Sequence, residues 1–247
     1  MARVCLNKHA LAVYQILGDF KMNFVEKYKP MSLKEVVYPS DAVERRIMGY
    51  ASGKFHGHIL LHGPNGTGKT TVANLLVKEI GGLHAMIETR TSDDLLNRQD
   101  LRVVLLNSAS LAKLTTSKKH FLVFNEFDQT KKNMAIFWTA LDECGDGIML
   151  IITTNEPMNI HKSIRSRCNM IEMSGISSTQ ALQRVQYALK SEGLILPDAQ
   201  VLDYLKPKEH MLDFRKYMLV AEEMIYMNQN GFSFSARKSG KPNLKVV

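Results

Sequence analysis

Residues 58–71 read HILLHGPNGTGKTT, and this stretch decides the fold predicted for the chain. The apolar run at residues 59–61 is typical of a buried strand, and a helical pattern begins at Val72. Between them lies a glycine-rich turn that ends in Gly68-Lys69-Thr70, which is the spacing of a phosphate-binding P-loop. Glycines let backbone N–H groups surround anionic oxygens, and the following helix directs its positive dipole end at the same point.

The residue types of this loop predict which parts of a bound nucleotide they contact. We expect the Lys69 ammonium to reach the β- and γ-phosphates and the Thr70 hydroxyl to complete the coordination sphere of Mg²⁺. ATP and Mg²⁺ are therefore the predicted cofactors. The residues predicted to contact the nucleotide here are Gly63, Pro64, Asn65, Gly66, Thr67, Gly68, Lys69, Thr70 and Thr71.

Length and composition fit one nucleotide-binding domain with a small companion domain. The 247 residues, 45% of them hydrophobic and 23% charged, are enough to bury a sizeable core. Cys5, Cys144 and Cys168 lie far apart, which favours a reducing compartment and implies neither a disulfide framework nor a zinc site. No apolar run approaches the ~20 residues of a membrane span. We therefore expect a cytoplasmic protein with no membrane partner.

The net charge of +8 is unevenly distributed along the chain. Residues 1–30 carry five basic and two acidic side chains, and residues 231–247 carry four basic and no acidic ones. The remaining residues carry 23 basic and 22 acidic side chains and are nearly neutral. Overall charge therefore gives little support for nucleic-acid binding, which must rest on a local patch.

Strands alternate with helices through the first two thirds of the chain. This alternation predicts an α/β fold in which helices cover both faces of a parallel sheet. Val103, Leu111 and Ile136 are among the helical side chains expected to face the core. Besides the strand before the P-loop, strands are predicted at 83–89, 121–124 and 148–153, and helices at 40–50, 93–114 and 133–144.

From residue 177 onward, the pattern predicts helices only. Helices at 179–191, 197–205 and 212–227 would form a small three-helix lid domain. The last residues are rich in Ser, Gly and Lys, which is typical of a flexible segment. The predicted organisation is an N-terminal extension at 1–22, a nucleotide-binding domain at 23–174, the lid at 175–230 and a basic flexible tail at 231–247.

Polar side chains follow the strand predicted at residues 121–124. P-loop ATPases need one carboxylate here to hold hydrated Mg²⁺ and another to orient the attacking water. Glu126 is in the position of the water-activating base, whereas Asn125 replaces the metal-binding carboxylate and brings no charge. Asp128 would partly compensate. The alternative is a protein that binds nucleotide but hydrolyses it poorly.

Asn155 follows the next predicted strand along the chain. Its amide would lie beside the γ-phosphate, because the carboxyl ends of parallel strands meet at one edge of a sheet. The alternative is an ordinary turn residue.

These motifs together resemble AAA+ ATPases of the clamp-loader type, and among them the large subunit of T-even-type bacteriophage clamp loaders. The resemblance covers roughly residues 24–228, and its most specific part is Ser166-Arg167-Cys168. It implies that Tyr28 and Pro30 contact the adenine. The matching motifs are residues 26–30, the P-loop at 63–70, the strand tip at 125–128, the first sensor Asn155, residues 166–168 and the second sensor at 212–216.

The resemblance also implies catalytic roles for two arginines. Arg167 would be an arginine finger that reaches the site of a neighbouring subunit and stabilises charge on the transferred phosphoryl group. Arg215 would contact the γ-phosphate from the lid. The alternatives are a solvated arginine for Arg167 and, for Arg215, an ion pair on the helix surface with Asp213 or Glu222.

DNA would pass through the centre of a spiral of such subunits. Contacts to its phosphates would be insensitive to base sequence. Each candidate cation could equally be an ordinary solvated charge. The candidates are Arg98, Arg102, Lys131 and Lys132.

The implied function is ATP-dependent loading of the replication sliding clamp onto primer-template DNA. The implied partners are the clamp, other loader subunits and DNA, in the cytoplasm of an infected bacterium. Family subunits carry a helical collar domain after the lid, and we expect it to be missing here. Two alternatives remain: a catalytically weak, ATP-binding structural subunit of such a loader, and an AAA+ helicase loader.

Overall fold

The computed structural model describes residues 23–82, 86–90, 100–127, 134–232 and 234. Within these ranges, five strands form one parallel sheet, in the order second, third, fourth, first, fifth. This arrangement confirms the predicted parallel α/β sheet. The strands are β1 (His58–His62), β2 (Met86–Arg90), β3 (His120–Phe124), β4 (Ile148–Thr154) and β5 (Cys168–Glu172).

Helices connect these strands and follow the last one. No described helix is long and apolar enough to cross a bilayer. The helices are α1 (Phe24–Lys27), α2 (Asp41–Ala51), α3 (Lys69–Gly81), α4 (Leu101–Ala112), α5 (Met134–Cys144), α6 (Lys162–Arg167), α7 (Ser178–Ser191), α8 (Asp198–Leu205) and α9 (Phe214–Gln229), with 3₁₀ turns at Leu33–Glu35, Gly145–Gly147, Pro157–Asn159 and Lys206–Met211.

The sheet has a hydrophobic core on each face, because successive strand residues point to opposite sides. On one face, Leu122 and Leu150 pack in a cluster with Phe137 of α5. On the other face, Phe121 and Ile151 belong to a cluster that contains side chains of α2 and α3. Helices therefore cover both faces, as the alternating pattern predicts.

A third core lies within the lid, which is made of α7, α8 and α9. Val185, Leu205 and the fully buried Tyr217 are part of it. Phe24 and Tyr28, from α1 and its C-terminal end, belong to the same cluster. The beginning of the described chain thus packs with the lid and not with the sheet, which the sequence pattern did not indicate.

Three side chains predicted to face the core are exposed. Val103 and Leu111 of α4 are 56% and 53% exposed, and Ile136 of α5 is 47% exposed. The buried residues of α4 are instead Leu105, Ala109 and Ala112. These follow an i, i+4, i+7 spacing on one face of the helix, and two of the three are alanines. The prediction favoured larger apolar side chains and so selected the wrong face.

The sequence analysis also missed β5 and the short helix α6 before it. The burial of β5 is discontinuous, because Cys168 and Ile171 are buried whereas Asn169 and Glu172 are exposed. This strand lies at the edge of the sheet beside β1. An edge strand needs no continuous apolar run, and it therefore lacked the signal by which β3 and β4 were found.

The exposure difference within α5 leads to a stability prediction. We expect Phe137→Ala to lower the free energy of unfolding by about 3–5 kcal/mol, because the missing ring leaves a cavity in the core. Ile136→Ala, the matched control, should change it by less than about 0.5 kcal/mol. Urea unfolding followed by circular dichroism measures both. Equal losses for the two variants would contradict the assigned face.

Candidate nucleotide-binding site

A cleft lies where β1, β3 and β4 end, between the sheet and the lid. The P-loop between β1 and α3 lines it, together with the N-terminal segment and α9. The structure thus brings residues from separate parts of the chain to one place. The predicted site residues that line this cleft are Tyr28, Pro30, Asn65, Gly66, Thr67, Gly68, Lys69, Thr70, Thr71, Glu126, Asn155 and Arg215.

Two P-loop glycines occupy positions where a side chain does not fit. Gly63 has φ +141°, and a Cβ atom on it would lie 2.1 Å from the carbonyl oxygen of Met173. Gly66 has φ +74°, and a Cβ atom there would lie 1.6 Å from Oδ1 of Asp213. Both positions therefore require glycine. Gly68 then caps α3, whose first turn carries no acidic side chain that would repel an anion.

Lys69 is folded back onto the P-loop. Its ammonium donates hydrogen bonds to the carbonyl oxygens of Gly63 at 2.8 Å and Pro64 at 2.6 Å, and the residue is only 8% exposed. Burial lowers the pKa of Lys69, and the nearby positive charge of Arg215 lowers it further. An anion in the cleft would restore a favourable environment for this buried cation, as a phosphate group would.

Glu126 is held in an unusual backbone conformation at the end of β3. Its φ of +51° is in the left-handed region, which non-glycine residues rarely occupy. Its backbone N–H donates to the hydroxyl of Thr153 at 3.0 Å, and the next N–H, that of Phe127, donates to the Thr153 carbonyl at 2.8 Å. The residue after Glu126 is Phe127, and its ring is buried. Because of this turn, Glu126 is exposed beside the cleft.

Asn125 carries a buried polar oxygen without a hydrogen-bond partner. Among the described residues, nothing donates to its Oδ1 atom. Such an orphaned oxygen is unusual in a folded protein and suits an external ligand. Thr70 lines the cleft, whereas Asn125 is not among the residues that line it. A hydroxyl and an amide oxygen are oxygen donors of the kind that Mg²⁺ or its water shell takes, so the residue types fit the ion. Asp128, expected to compensate for the missing charge, lies outside the described residues.

The lid contacts the P-loop through the start of α9. The N–H of Phe214 donates to the carbonyl oxygen of Gly66 at 3.1 Å. The helix begins at Phe214 and not at residue 212 as predicted, because Leu212 adopts a left-handed conformation and Asp213 caps the helix by accepting from the N–H of Arg215 at 2.9 Å. The lid therefore closes over the P-loop at Asp213 and Phe214.

Arg215 lies at the cleft, as the prediction had it, and it also makes the ion pair with Asp213 that was the alternative. It lines the cleft, and its Nε also lies 3.4 Å from Oδ1 of Asp213. The Arg215 side chain is 56% exposed, so this ion pair contributes little stability and leaves the guanidinium free to rotate.

Arg167 lies outside the cleft of its own chain, at the end of α6. Its guanidinium donates two hydrogen bonds to the carboxylate of Asp142, at 3.1 and 2.9 Å, and lies 5.7 Å from the centre of the Trp138 ring. These bonds from Arg167 lower the pKa of Asp142. Trp138 is 6% exposed, as expected for a packing residue. The pair holds Arg167 at the surface, away from the cleft of its own chain.

Residues 59–175 match the family model described as "ATPase family associated with various cellular activities (AAA)". This segment is similar to AAA ATPase domains. It contains the P-loop, the tips of β3 and β4, and the Ser166-Arg167-Cys168 motif.

Curated relatives of the chain carry clamp-loader names. The sliding-clamp-loader large subunit of Enterobacteria phage T4 is 30% identical over 204 residues, which cover 77% of this chain and 61% of that protein. The same subunit of Escherichia phage RB69 is 28% identical, with the same coverage. The replication factor C small subunit of Methanosarcina mazei is 26% identical over 74% of this chain and 56% of its own length. The chain thus spans little more than half the length of these relatives.

Solved structures of other proteins share the fold. A point variant of RuvB from Thermotoga maritima superimposes with a TM-score of 0.60 at 16% identity, covering 88% of this chain and 76% of that one. The FIGL-1 AAA domain in complex with ADP gives a TM-score of 0.57 at 15% identity, with 86% and 81% coverage. At such identities the likeness shows the fold alone.

An apolar wall of the cleft escaped the sequence analysis. Some of its residues precede β1 in the sequence, and the others follow β5. Nothing in the local pattern distinguishes these side chains from ordinary core residues. The residues of this wall are Val25, Val36, Val37, Ile176, Phe214 and Met218.

The candidate DNA-contacting residues are mostly outside the described part of the chain. Arg98, Lys131 and Lys132 fall there. Arg102 is described, and its guanidinium pairs with the carboxylate of Glu143 at 2.8 Å while remaining 56% exposed. An exposed pair of this kind exchanges readily with a phosphate partner, so the role of Arg102 stays a prediction.

Cys168 of the specific motif is a structural residue of the AAA domain. It is buried in the core next to the sheet, and burial raises the pKa of its thiol to about 12. The thiol is therefore unreactive at neutral pH. In this motif the exposed Arg167 is followed directly by the buried Cys168, which is the first residue of β5.

Proposed function

We propose that this chain is an ATPase subunit of a loader that places the replication sliding clamp on primer-template DNA. The observation that carries the proposal is the single cleft in which residues from the P-loop, two strand tips, the N-terminal segment and the lid meet. The clamp-loader names of the relatives support the substrate class. The partners would be a sliding clamp, other loader subunits and DNA, in the cytoplasm of an infected bacterium.

ATP binding would displace Lys69 from the loop carbonyls. The α-, β- and γ-phosphates would accept hydrogen bonds from the loop N–H groups and from the Lys69 ammonium. Tyr28 and Pro30, which line the cleft, would contact the base. Thr70 and Asn125 would hold Mg²⁺ or its water shell. The ion would neutralise charge on the phosphate oxygens.

Glu126 would orient the attacking water and accept its proton. The two hydrogen bonds to Thr153 hold the turn that presents this carboxylate, so the group is positioned before the substrate binds. Asn155, at the end of the neighbouring strand, would contact the γ-phosphate from the side.

Arg215 and Arg167 would complete the site from two directions. Arg215 lies on α9, whose first residue is bonded to Gly66, so rotation of the lid would move this guanidinium relative to the γ-phosphate. Arg167 would leave Asp142 and enter the cleft of a neighbouring subunit, where its planar cation stabilises the transition state. Assembly would thereby switch on hydrolysis.

The predicted domain boundaries at 23–174 and 175–230 belong to the same proposal. Separate hydrophobic cores in the sheet and the lid support them, and the packing of Phe24 and Tyr28 with the lid argues for a shared element at the N-terminal end. The predicted extension at 1–22 and nearly all of the tail at 231–247 lie outside the described residues.

A second candidate function is a loader subunit that holds ATP and turns it over slowly. Asn125 favours it, because an amide oxygen binds Mg²⁺ more weakly than a carboxylate does. The variant Asn125→Asp separates the two candidates: a large gain over slow hydrolysis would indicate a nucleotide-holding subunit, and little change from a rate that is already high would indicate an efficient enzyme.

Clamp capture tests the proposed substrate. The full chain is immobilised and incubated with a sliding clamp of a T4-like phage, in the presence of ADP or a non-hydrolysable ATP analogue. We expect retention of the clamp with the analogue, loss with ADP, and no retention by Lys69→Ala. Lys78→Ala, which changes an exposed lysine of the same helix, should behave like the unchanged chain. Equal capture, or none, under all conditions would contradict the proposal.

A further inference from the structure

One wall of the cleft is formed by a segment near the N-terminal end of the described chain. This segment packs against the lid, which is formed by the last helices of the chain. Phe24 and Tyr28 are buried in the hydrophobic core of the lid, whereas Leu33 and Tyr38 are buried with the sheet. The chain between them, residues 29–32, therefore crosses from one body to the other. Lys29 and Pro30 of this crossing line the cleft.

One buried arginine of the lid ties both ends of this crossing. Arg184 of α7 donates from Nη2 to the carbonyl oxygen of Tyr28 at 3.0 Å and from Nη1 to the carboxylate of Glu35 at 3.1 Å. Its side chain is 10% exposed, and its guanidinium lies 5.0 Å from the centre of the Tyr187 ring. The planar guanidinium can donate to two acceptors at once, and here it joins the Tyr28 carbonyl oxygen to the Glu35 carboxylate, seven residues further along the chain.

Glu35 closes the loop from its other side. Its carboxylate accepts from the N–H of Met31 at 3.3 Å and from the hydroxyl of Ser32 at 3.1 Å, in addition to Arg184. Burial opposes ionisation of Glu35, but these hydrogen bonds and the Arg184 charge together lower its pKa. The loop is thus closed around an ionised carboxylate whose cationic partner belongs to the lid.

A second lid side chain supports the same loop nearer its start. Glu192, directly after α7, accepts from the hydroxyl of Tyr28 at 2.6 Å and also pairs with Lys27. These contacts of Glu192 are with Lys27 and Tyr28, and none of them is with the described residues Lys29 and Pro30. Arg184 is therefore the lid residue that fixes the part of the chain containing Lys29 and Pro30.

We propose that Arg184 is the positioning residue for base recognition, which it performs by holding the loop between Tyr28 and Glu35 against the cleft and coupling that loop to the lid. The inference rests on the proposed ATP site. It deepens that site by separating two tasks: the P-loop binds the phosphates, and the loop held by Arg184 binds and selects the base. Arg184 itself does not line the cleft.

Binding titrations with two ligands test this division. ATP and inorganic tripolyphosphate are titrated into the full chain and into Arg184→Met, with GTP as a base control. Because Arg184→Met removes the hydrogen bonds that hold this loop, we expect ATP affinity to fall about tenfold and the preference for ATP over GTP to fall in proportion. Affinity for tripolyphosphate should stay within about twofold of the unchanged chain, because the phosphate-binding residues are untouched.

Three further variants make the test specific. Lys190→Met changes an exposed cation on the same helix and should leave all three affinities unchanged. Arg184→Lys keeps the charge but loses the planar fork, so base preference should recover only in part. Glu35→Gln, at a 39% exposed side chain, is a milder change in the same loop and decides the question if Arg184→Met does not fold. We expect it to lower base preference about threefold.

The contrary outcomes are distinct. Unchanged base preference in Arg184→Met and Glu35→Gln would overturn the inference while leaving the ATP site intact. An equal loss of ATP and tripolyphosphate would also overturn it, since that result assigns Arg184 to the general stability of the lid. Failure of the unchanged chain to bind ATP would overturn the proposed function itself.

Discussion

Replacing Glu126 with Gln is expected to lower the steady-state rate of ATP hydrolysis by about 10²–10⁴-fold, the contribution typical of a general base. Affinity for ATP should stay within about threefold, because in the proposed mechanism Glu126 acts on the attacking water and its carboxylate is not needed to hold the phosphates. The amide keeps the size of the side chain, and the hydrogen bonds between the Glu126 and Phe127 N–H groups and Thr153 do not involve it. Glu126→Gln therefore removes the proposed base but keeps the backbone hydrogen bonds to Thr153.

Hydrolysis and binding must be measured separately for this variant. Phosphate release under saturating ATP gives the rate, and equilibrium titration with a fluorescent ATP analogue gives the affinity. Glu79→Gln, at an exposed position on α3, controls for the loss of a surface charge. A Glu126→Gln variant that hydrolyses ATP at the original rate would remove Glu126 from the proposed mechanism and direct attention to Asp128.

Replacing Arg167 with Ala should lower hydrolysis by the assembled protein by about 10³-fold or more, because an arginine finger contributes 10³–10⁵ in kcat. ATP binding by a single chain should not change, since Arg167 lies outside its own cleft and is paired with Asp142. Loss of activity with retained binding is the signature of a residue that acts in a neighbouring site.

A mixing experiment distinguishes action in a neighbouring site from action within one chain. Arg167→Ala keeps an intact Glu126, and Glu126→Gln keeps an intact Arg167, so a mixed assembly contains sites with both groups. We expect such a mixture to regain part of the activity that each variant lacks. Lys162→Ala, at an exposed position on the same helix, serves as the control. No recovery in a mixture that does assemble would contradict transfer of the finger between subunits.

The sequence predicted those parts of the site that local chemistry dictates. The P-loop glycines are required by positive φ angles and by the close approach of Met173 and Asp213, and such requirements leave a readable pattern. Glu126 and Asn155 follow continuous apolar strands, so their placement at one edge of the sheet followed from parallel topology. Glu126 and Asn155 thus line one cleft, as parallel topology predicts, while their roles stay predictions.

What escaped prediction depends on packing between distant segments. The attachment of Phe24 and Tyr28 to the lid, and the bridge from Arg184 to Glu35, join residues about 150 positions apart. The periodicity of apolar residues along the sequence does not indicate such a contact. The exposed Val103 and Ile136 show the related difficulty that a large apolar side chain indicates a buried face only on average.

The measurement that tests the central claim most directly is steady-state ATP hydrolysis by the full chain, with and without primer-template DNA and a sliding clamp, for the unchanged chain, Asn125→Asp and Glu126→Gln. The account predicts hydrolysis that rises when DNA and clamp are both present and that Glu126→Gln abolishes, whereas Asn125→Asp changes the rate only modestly. A rate that is the same with and without DNA and clamp, in a chain that binds ATP, would contradict the assignment as a clamp-loader ATPase.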